Sequence, residues 1–164
     1  MRILLLGCDR LKSFLESQGD SVVNTSDKID LEYCKPFHYI ISHAYRYILS
    51  KDIVDHFRGR AINLHISYLP WNRGADPNYW SWVDKTPKGV TIHEIDYGID
   101  TGRIISQIEV NMSLDDTLEM SYNKLQDAME SLFKYKWASI RGSYHKVGDM
   151  PNLPLGWNTP VKDL

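Results

Sequence analysis

Residues 2–7, Arg2-Ile3-Leu4-Leu5-Leu6-Gly7, form a short apolar run that ends in glycine. A run of this kind is typical of a buried strand in a parallel sheet. It is too short for the central region of a signal peptide, and no plausible cleavage site follows it. Leu11, Phe14 and Leu15 come next at helical spacing, and Gly19 predicts where that helix ends. This part of the chain therefore predicts a strand followed by a helix.

The same alternation continues as far as residue 65. We predict a second strand at 21–24, a central strand at 37–42, a helix capped by Ser50 and a strand near 61–64. Alternating strands and helices favour a parallel sheet with right-handed crossovers. The segment from Val22 to Phe37 has little room for a crossover helix. The expected fold class is therefore α/β, with an abbreviated doubly wound (Rossmann-like), mostly parallel sheet and flanking helices.

The second half of the chain predicts a helix, two strands and a long final helix. A helix is expected at 78–83, and strands at 89–96 and 102–110 are joined by a turn. An amphipathic helix begins near Ser113, carries Leu118, Tyr122 and Leu125 on its apolar face, and extends towards Ile140. We therefore expect a catalytic domain over residues 1–141 and an extended C-terminal arm over residues 142–164.

The length, charge and composition of the chain limit its number of domains, its partners and its compartment. The chain has 164 residues, which suits one domain, and a formal net charge of -2. Lysines and arginines are scattered, which argues against a nucleic-acid partner. No apolar stretch approaches the roughly 18 residues that a membrane helix needs. Cys8 and Cys34 could form a disulfide, but two free thiols are expected in a chain with no secretion signal, which points to the cytoplasm.

Two polar residues mark the end of the fourth predicted strand, in the sequence Asn63-Leu-His65-Ile-Ser67-Tyr-Leu-Pro70. Asn63 and His65 are two residues apart, so their side chains point to the same side of the sheet. The carboxyl ends of strands in an open parallel sheet are where such folds bind ligands. An amide and an imidazole placed there can stabilise a developing oxyanion or move a proton. Taken alone, such a pair is more often structural than catalytic.

A second stretch, Asp96-Tyr-Gly98-Ile-Asp100-Thr-Gly102, surrounds an acidic residue with glycines. This pattern predicts a tight turn with an exposed backbone. Asp100 is therefore either a turn residue that bonds its own backbone or a functional carboxylate.

The two stretches together resemble the folate-dependent formyltransferase family. Asn63-x-His65-x-Ser67-x-x-Pro70 with Gly74, followed by Asp100-x-Gly102, carries the resemblance, which covers about residues 37–110. The family includes glycinamide ribonucleotide, methionyl-tRNA and nucleotide-amino-sugar formyltransferases. The resemblance implies the formyltransferase fold and a catalytic triad of Asn63, His65 and Asp100. Asn63 and His65 would hold the formyl oxygen, and Asp100 would orient and charge His65, shuttle a proton and raise the His65 pKa.

The resemblance also implies a formyl donor, 10-formyltetrahydrofolate, which leaves as tetrahydrofolate. Two loops would bind its pterin mainly through backbone groups. These residues are Tyr45, Arg46, Tyr47, Ile48 and Leu49 in the first loop, and Asp96, Tyr97, Gly98 and Ile99 in the second. His93 is expected to be either a satisfied core histidine or a functional one. The histidines show no spacing typical of a metal site, so no metal is expected.

The sequence from Tyr68 to Trp82 resembles the sequences of the sugar formyltransferases within this family. The resemblance implies an acceptor amine on a UDP- or dTDP-linked 4-amino-4,6-dideoxy sugar, such as one of a pseudaminic-acid-type pathway. Candidate acceptor-binding residues are Ser67, Pro70, Trp71, Asn72, Arg73, Gly74 and Asp76. For Trp71, Asn72, Arg73 and Asp76, a rigid turn is the structural alternative.

Three alternatives remain at this point. The acceptor could be a ribonucleotide or a carrier-bound aminoacyl group, the chain could be a non-catalytic folate- or nucleotide-binding module, or its aromatic surface could bind a protein partner. A homodimer is the expected assembly.

Overall fold

The computed structural model describes residues 1–147, with side chains as far as residue 143. Strands and helices alternate along most of this part of the chain. The strands are β1 (Arg2–Gly7), β2 (Ser21–Thr25), β3 (Tyr39–His43), β4 (Ala61–His65), β5 (Gly89–Glu94) and β6 (Ile104–Glu109). The helices are α1 (Lys12–Ser17), α2 (Leu31–Cys34), α3 (Lys51–His56), α4 (Pro77–Val83) and α5 (Leu118–Val147).

The six strands form one sheet in the order β2-β1-β3-β4-β5-β6. The pairs β1–β2, β1–β3 and β3–β4 are parallel, whereas β4–β5 and β5–β6 are antiparallel. From β1 the chain first adds β2 next to one edge of β1 and later adds β3 next to its other edge. The strand order therefore reverses between β1 and β3, and these two strands flank a topological switch point. The predicted α/β fold with a mostly parallel sheet is confirmed.

The short crossover between β2 and β3 is also confirmed. It contains only α2, a single helical turn whose start is capped by Asp30, which accepts a hydrogen bond from the Tyr33 backbone N–H at 2.8 Å. Cys34 on this turn is buried, and both Cys8 and Cys34 are free thiols, as expected.

Two apolar layers cover the two faces of the sheet. Because side chains alternate along a strand, Ile62 and Leu64 of β4 face one layer, with α1 and α5, while Ala61 faces the other, with α2 and α3. Asn63 and His65 have the same parity as Ala61. The two predicted catalytic residues of β4 therefore lie on the α3 side of the sheet.

The final helix differs from the prediction at both ends. Ser113 to Asp116 form a turn, and the Thr117 hydroxyl accepts a hydrogen bond from the Met120 N–H at 3.1 Å, so α5 begins at Leu118. At the other end the helix continues past residue 141, where we placed the end of the catalytic domain, to Val147. The rest of that predicted arm lies outside the described residues.

The apolar face of α5 is buried from Leu125 onwards but not before it. Leu118 and Tyr122 are 47% and 44% exposed, although their spacing predicted core positions. Instead, both side chains line a cleft at the carboxyl ends of β3 and β4. Among the helices of residues 1–147, none combines the length and the apolar character needed to cross a bilayer.

Candidate active site

The three predicted catalytic residues meet at the carboxyl end of β4. The Asn63 amide Nδ2 donates a hydrogen bond to Oδ1 of Asp100 at 3.1 Å. Nε2 of His65 lies 3.5 Å from Oδ2 of the same carboxylate. β4 supplies the amide and the imidazole, and the loop between β5 and β6 supplies the carboxylate. Residues far apart in sequence thus share one small polar site.

Asp100 is held by donors from three separate segments. Besides Asn63, the backbone N–H of Gly74 donates to Oδ2 at 2.8 Å, and Nε2 of His93 lies 3.3 Å from Oδ1. The backbone of Asp100 has a φ of 53°, which a non-glycine residue rarely adopts. Asp100 is therefore a turn residue whose carboxylate bonds other segments and lines the cleft.

The surroundings of Asp100 keep it ionised. Burial raises the pKa of the carboxyl group, but the hydrogen bond with His93, the nearby His65 and the Gly74 N–H outweigh burial and lower this pKa to about 2. The carboxylate is therefore a fixed negative charge near neutral pH.

The expected rise in the pKa of His65 is wrong. The imidazole is buried, and the loss of hydration lowers its pKa more than the charge of Asp100 and the hydrogen bond with the Asn72 carbonyl raise it. Nε2 lies 2.9 Å from that carbonyl oxygen and 3.5 Å from the Asp100 carboxylate. Both neighbours only accept, so Nε2 carries the ring proton and Nδ1 is the free nitrogen. His65 is thus a neutral imidazole oriented mainly by Asn72.

His93 lies next to the three predicted catalytic residues. β4 and β5 are antiparallel, and their register places His93 directly opposite Asn63. The His93 side chain is almost fully buried. Its Nδ1 lies 2.8 Å from the Glu94 carbonyl oxygen, and its Nε2 lies 3.3 Å from both Asp100 Oδ1 and Asn63 Nδ2. His93 therefore fixes the carboxylate and the amide relative to each other.

A cleft of about 750 Å³ opens beside these residues, within the size range of small-molecule sites. Both loops predicted to hold a pterin contribute to its wall. The described residues that line it from those loops are Tyr45, Arg46, Tyr47, Ile48, Leu49, Asp96, Gly98 and Ile99. Tyr97 is not among them, because its hydroxyl donates to Asp55 and Lys51 lies over its ring, which directs the side chain towards α3.

The predicted acceptor-binding residues divide into two groups. Gly74 and Asp76 line the cleft. The structure does not place the others among the lining residues: Ser67, Pro70, Trp71, Asn72 and Arg73. Within this group, Asn72 has a clear structural role, since its side-chain Oδ1 accepts from the Thr86 hydroxyl at 2.6 Å while its carbonyl orients His65.

Several lining residues were missed by sequence reasoning. The cleft is also lined by Ser42, His43, Ala44, Ala75, Pro77, Asn78, Tyr79, Leu118, Tyr122 and Gln126. The apolar spacing of α5 concealed Tyr122 and Leu118 among core positions. Within residues 1–147, no group of three or more His, Cys, Asp or Glu side chains has the arrangement of a metal site.

The chain belongs to the formyl transferase family, whose model matches residues 25–135. Among solved structures, it is 49% identical to the formyltransferase PseJ from Anoxybacillus kamchatkensis, with a TM-score of 0.84 over 94% of this chain and 82% of that one. That structure is a complex with UDP-4,6-dideoxy-4-formamido-L-AltNAc and tetrahydrofolate.

Curated relatives are similar over a shorter range. A methionyl-tRNA formyltransferase from Agathobacter rectalis is 37% identical over 63% of this chain and 34% of its own length. A dTDP-4-amino-4,6-dideoxyglucose formyltransferase from Mycobacterium bovis is 40% identical over 52% of this chain and 37% of its own length. The chain thus spans about a third of the length of these curated relatives.

Proposed function

We propose that this protein transfers a formyl group from 10-formyltetrahydrofolate to the amine of a nucleotide-linked amino sugar. The observation that carries the proposal is the meeting of Asn63, His65 and Asp100 beside a cleft of ligand size. Family membership supports formyl transfer, and the likeness to PseJ supports a UDP-linked 4-amino-4,6-dideoxy sugar as the acceptor.

The reaction is a simple exchange of bonds. A bond forms between the amine nitrogen and the formyl carbon, the bond from that carbon to the folate nitrogen breaks, and one proton moves from the amine to the folate nitrogen. Negative charge develops on the formyl oxygen, while positive charge develops on the attacking amine. A catalyst must therefore stabilise both charges and carry one proton.

The residues of the site suit these tasks. The Asn63 amide can donate to the formyl oxygen, and a preorganised donor of this kind is worth about 3 kcal/mol of barrier. His65 lies next to it with a free ring nitrogen that can take up a proton. The fixed charge of Asp100 stabilises the amine as it becomes positive. Because the pKa of Asp100 is about 2, its carboxylate does not stay protonated near neutral pH and releases any proton that it accepts.

We expect the folate ring to bind on one side of the cleft. The segment from Tyr45 to Leu49 lines the cleft there, together with Asp96, Gly98 and Ile99. Asp96 accepts hydrogen bonds from the Gly98 N–H and the Thr101 hydroxyl, which fixes the second loop. By binding the folate beside the triad, these two backbone segments would place its formyl carbon within reach of Asn63.

The test is a panel of acceptors incubated with 10-formyltetrahydrofolate and analysed by mass spectrometry. We expect formylation of UDP-4-amino-4,6-dideoxy-L-AltNAc or another nucleotide 4-amino sugar, with release of tetrahydrofolate. The panel includes glycinamide ribonucleotide, methionyl-tRNA and a carrier-bound aminoacyl group. Formylation of one of these and of no sugar would contradict the proposed acceptor. Folate binding without turnover of any amine would support a binding module instead.

We place the reaction in the cytoplasm, since two free cysteines suit a reducing compartment. The homodimer remains a prediction, which light scattering would test.

A further inference from the structure

A second polar pair lies in the cleft, away from the triad. His43 is the last residue of β3, its side chain is 1% exposed, and its Nε2 lies 2.7 Å from Oε1 of Gln126 on α5. Gln126 is itself only 3% exposed, and both residues line the cleft. Nδ1 of His43 is buried and has no hydrogen-bond partner among the described residues.

The protonation state of His43 follows from its neighbour. The amide oxygen of Gln126 can only accept, so Nε2 of His43 carries the hydrogen. Burial lowers the pKa of this imidazole more than the hydrogen bond with Gln126 raises it, so the ring is neutral at physiological pH. Nδ1 is then a bare acceptor. A buried acceptor without a partner is costly, and in a cleft a bound ligand is the natural source of the missing donor.

The backbone around His43 is fixed. Its carbonyl accepts a hydrogen bond from the Cys8 N–H at 2.7 Å. A Cβ atom on Gly7 would lie 2.2 Å from that same oxygen, so β1 and β3 approach each other closely at this point. The imidazole is therefore presented from a rigid strand end, with its ring held by Gln126.

His43 lies on the opposite side of the sheet from the triad. In the register of β3 and β4, His43 pairs with Leu64, which faces α5, whereas Ser42 pairs with Asn63. The two loops proposed to hold the folate lie beside Asn63 and Asp100. With the folate on the side of Asn63 and Asp100, the acceptor would approach the triad from the α5 side, which His43, Gln126 and Tyr122 line.

We infer that His43 is a specificity-determining residue for the acceptor, whose Nδ1 accepts a hydrogen bond from a hydroxyl or amide N–H of the nucleotide sugar. Gln126 is the positioning residue that fixes the tautomer needed for this. The inference rests on the proposed function, and it adds a recognition contact on the side of the sheet that the catalytic triad does not reach.

Steady-state kinetics of His43→Phe test the inference, because this substitution keeps a ring but removes both nitrogens. We expect the KM for the 4-amino sugar to rise about tenfold, as for the loss of one neutral hydrogen bond. The kcat and the KM for 10-formyltetrahydrofolate should stay within about twofold of wild type. His43→Asn retains an acceptor near the position of Nδ1 and should restore most of the affinity. His56→Phe, an exposed histidine of α3, is the matched control.

A measurement on the wild-type protein removes any dependence on the folding of a variant. In ¹⁵N-histidine NMR, Nδ1 of His43 should have the shift of an unprotonated nitrogen, and binding of UDP-4,6-dideoxy-4-formamido-L-AltNAc should move it in the direction of an accepted hydrogen bond. His43→Asn identifies the signal by its loss.

The outcomes separate the two proposals. An unchanged acceptor KM in folded His43→Phe, or an Nδ1 shift that bound product leaves unmoved, overturns the inference while formyl transfer stands. A kcat that falls without any change in acceptor KM also overturns it, because His43 would then act on the chemistry. Wild-type protein that neither binds nor formylates any nucleotide amino sugar overturns the proposed function and this inference together.

Discussion

At His65, burial outweighs the charge of Asp100 and leaves the imidazole neutral, whereas the neighbours of Asp100 outweigh burial and leave its carboxylate ionised. The triad of Asn63, His65 and Asp100 was predicted because the two stretches together resemble the formyltransferase family. Taken alone, the shared strand face of Asn63 and His65 and the glycines around Asp100 left structural roles open. The shift in the His65 pKa was predicted in the wrong direction, because the sequence shows the neighbouring charge but not the loss of hydration. His93 was left undecided because its position opposite Asn63 depends on an antiparallel register.

The lowered pKa of His65 predicts a particular pH profile. Neutral His65 is the form present near pH 7, so kcat/KM should fall as the pH drops through a value below 6.5 and should not fall because of this histidine as the pH rises above 7. The measurement is kcat/KM for the amino sugar against pH, with His65→Asn as the control that lacks this ionisation. A rate that declines between about pH 6 and 8 would show that the charged imidazole is required.

His93 should behave as a positioning residue. His93→Phe removes the contacts with Asp100 and Asn63, so we expect kcat to fall by about ten- to a hundredfold with little change in either KM. It should also raise the pKa of Asp100, which a ¹³C-carboxyl titration would detect. His93→Gln can still donate to Asp100 and should recover part of the rate. Equal losses in both variants, with an unmoved Asp100 pKa, would contradict this role.

Element-scale features explain why certain motif residues are glycine. A Cβ on Gly102 would lie 1.6 Å from the Glu94 carbonyl oxygen, where the chain returns from the Asp100 loop to β6. The close approach sets where Asp100 emerges beside β4.

The same scale explains the misplaced start of α5, because the cap is the Thr117 hydroxyl and not Ser113. Both Ser and Thr are good caps, so the sequence alone does not choose between them.

Gly102→Ala should be strongly destabilising, because backbone must move to admit the methyl group. We expect a loss of about 2–4 kcal/mol in the free energy of unfolding, measured by urea denaturation. Gly142→Ala is the matched control, since this glycine lies in α5 with nothing within 4 Å of the new Cβ. That substitution should stabilise by up to about 1 kcal/mol. Similar effects at the two sites would contradict the close packing at Gly102.

At the scale of the whole molecule, the carboxyl ends of the strands carry two polar sites, the triad and His43, which lie on opposite faces of the sheet. The triad lies on the α3 side and His43 on the α5 side, and the cleft extends over the edge between them. The order of strand and helix was predictable from hydrophobic spacing. The way in which the N-terminal part of α5 leaves the core and lines the cleft was not, because Leu118 and Tyr122 follow the same apolar spacing as the buried residues.

Two buried neutral histidines predict that the fold is less stable in mild acid. The pKa values of His43 and His65 are lowered from 6.5 on folding, so the unfolded chain binds more protons below that pH. The free energy of unfolding should therefore fall as the pH decreases from 6.5, by up to about 1.4 kcal/mol per pH unit for each group. Asp100 adds a further loss only between pH 3.8 and about 2.

Urea denaturation at pH 7.5 and pH 5.5 measures the histidine part separately from the carboxylates. His43→Asn should show a smaller difference between the two pH values than wild type. The same free energy at both pH values in the wild-type protein would show that these histidines are not held neutral.

The proposed formyl transfer requires Asn63, His65 and Asp100 to act together. Its most direct test is single-turnover formylation of UDP-4-amino-4,6-dideoxy-L-AltNAc by Asp100→Asn, compared with wild type, with binding of the formylated sugar measured in parallel. The substitution keeps the size of the side chain but removes the fixed negative charge. We predict that the transfer rate falls by about 10²–10³-fold while sugar binding is retained. A variant that transfers the formyl group at the wild-type rate would contradict the account.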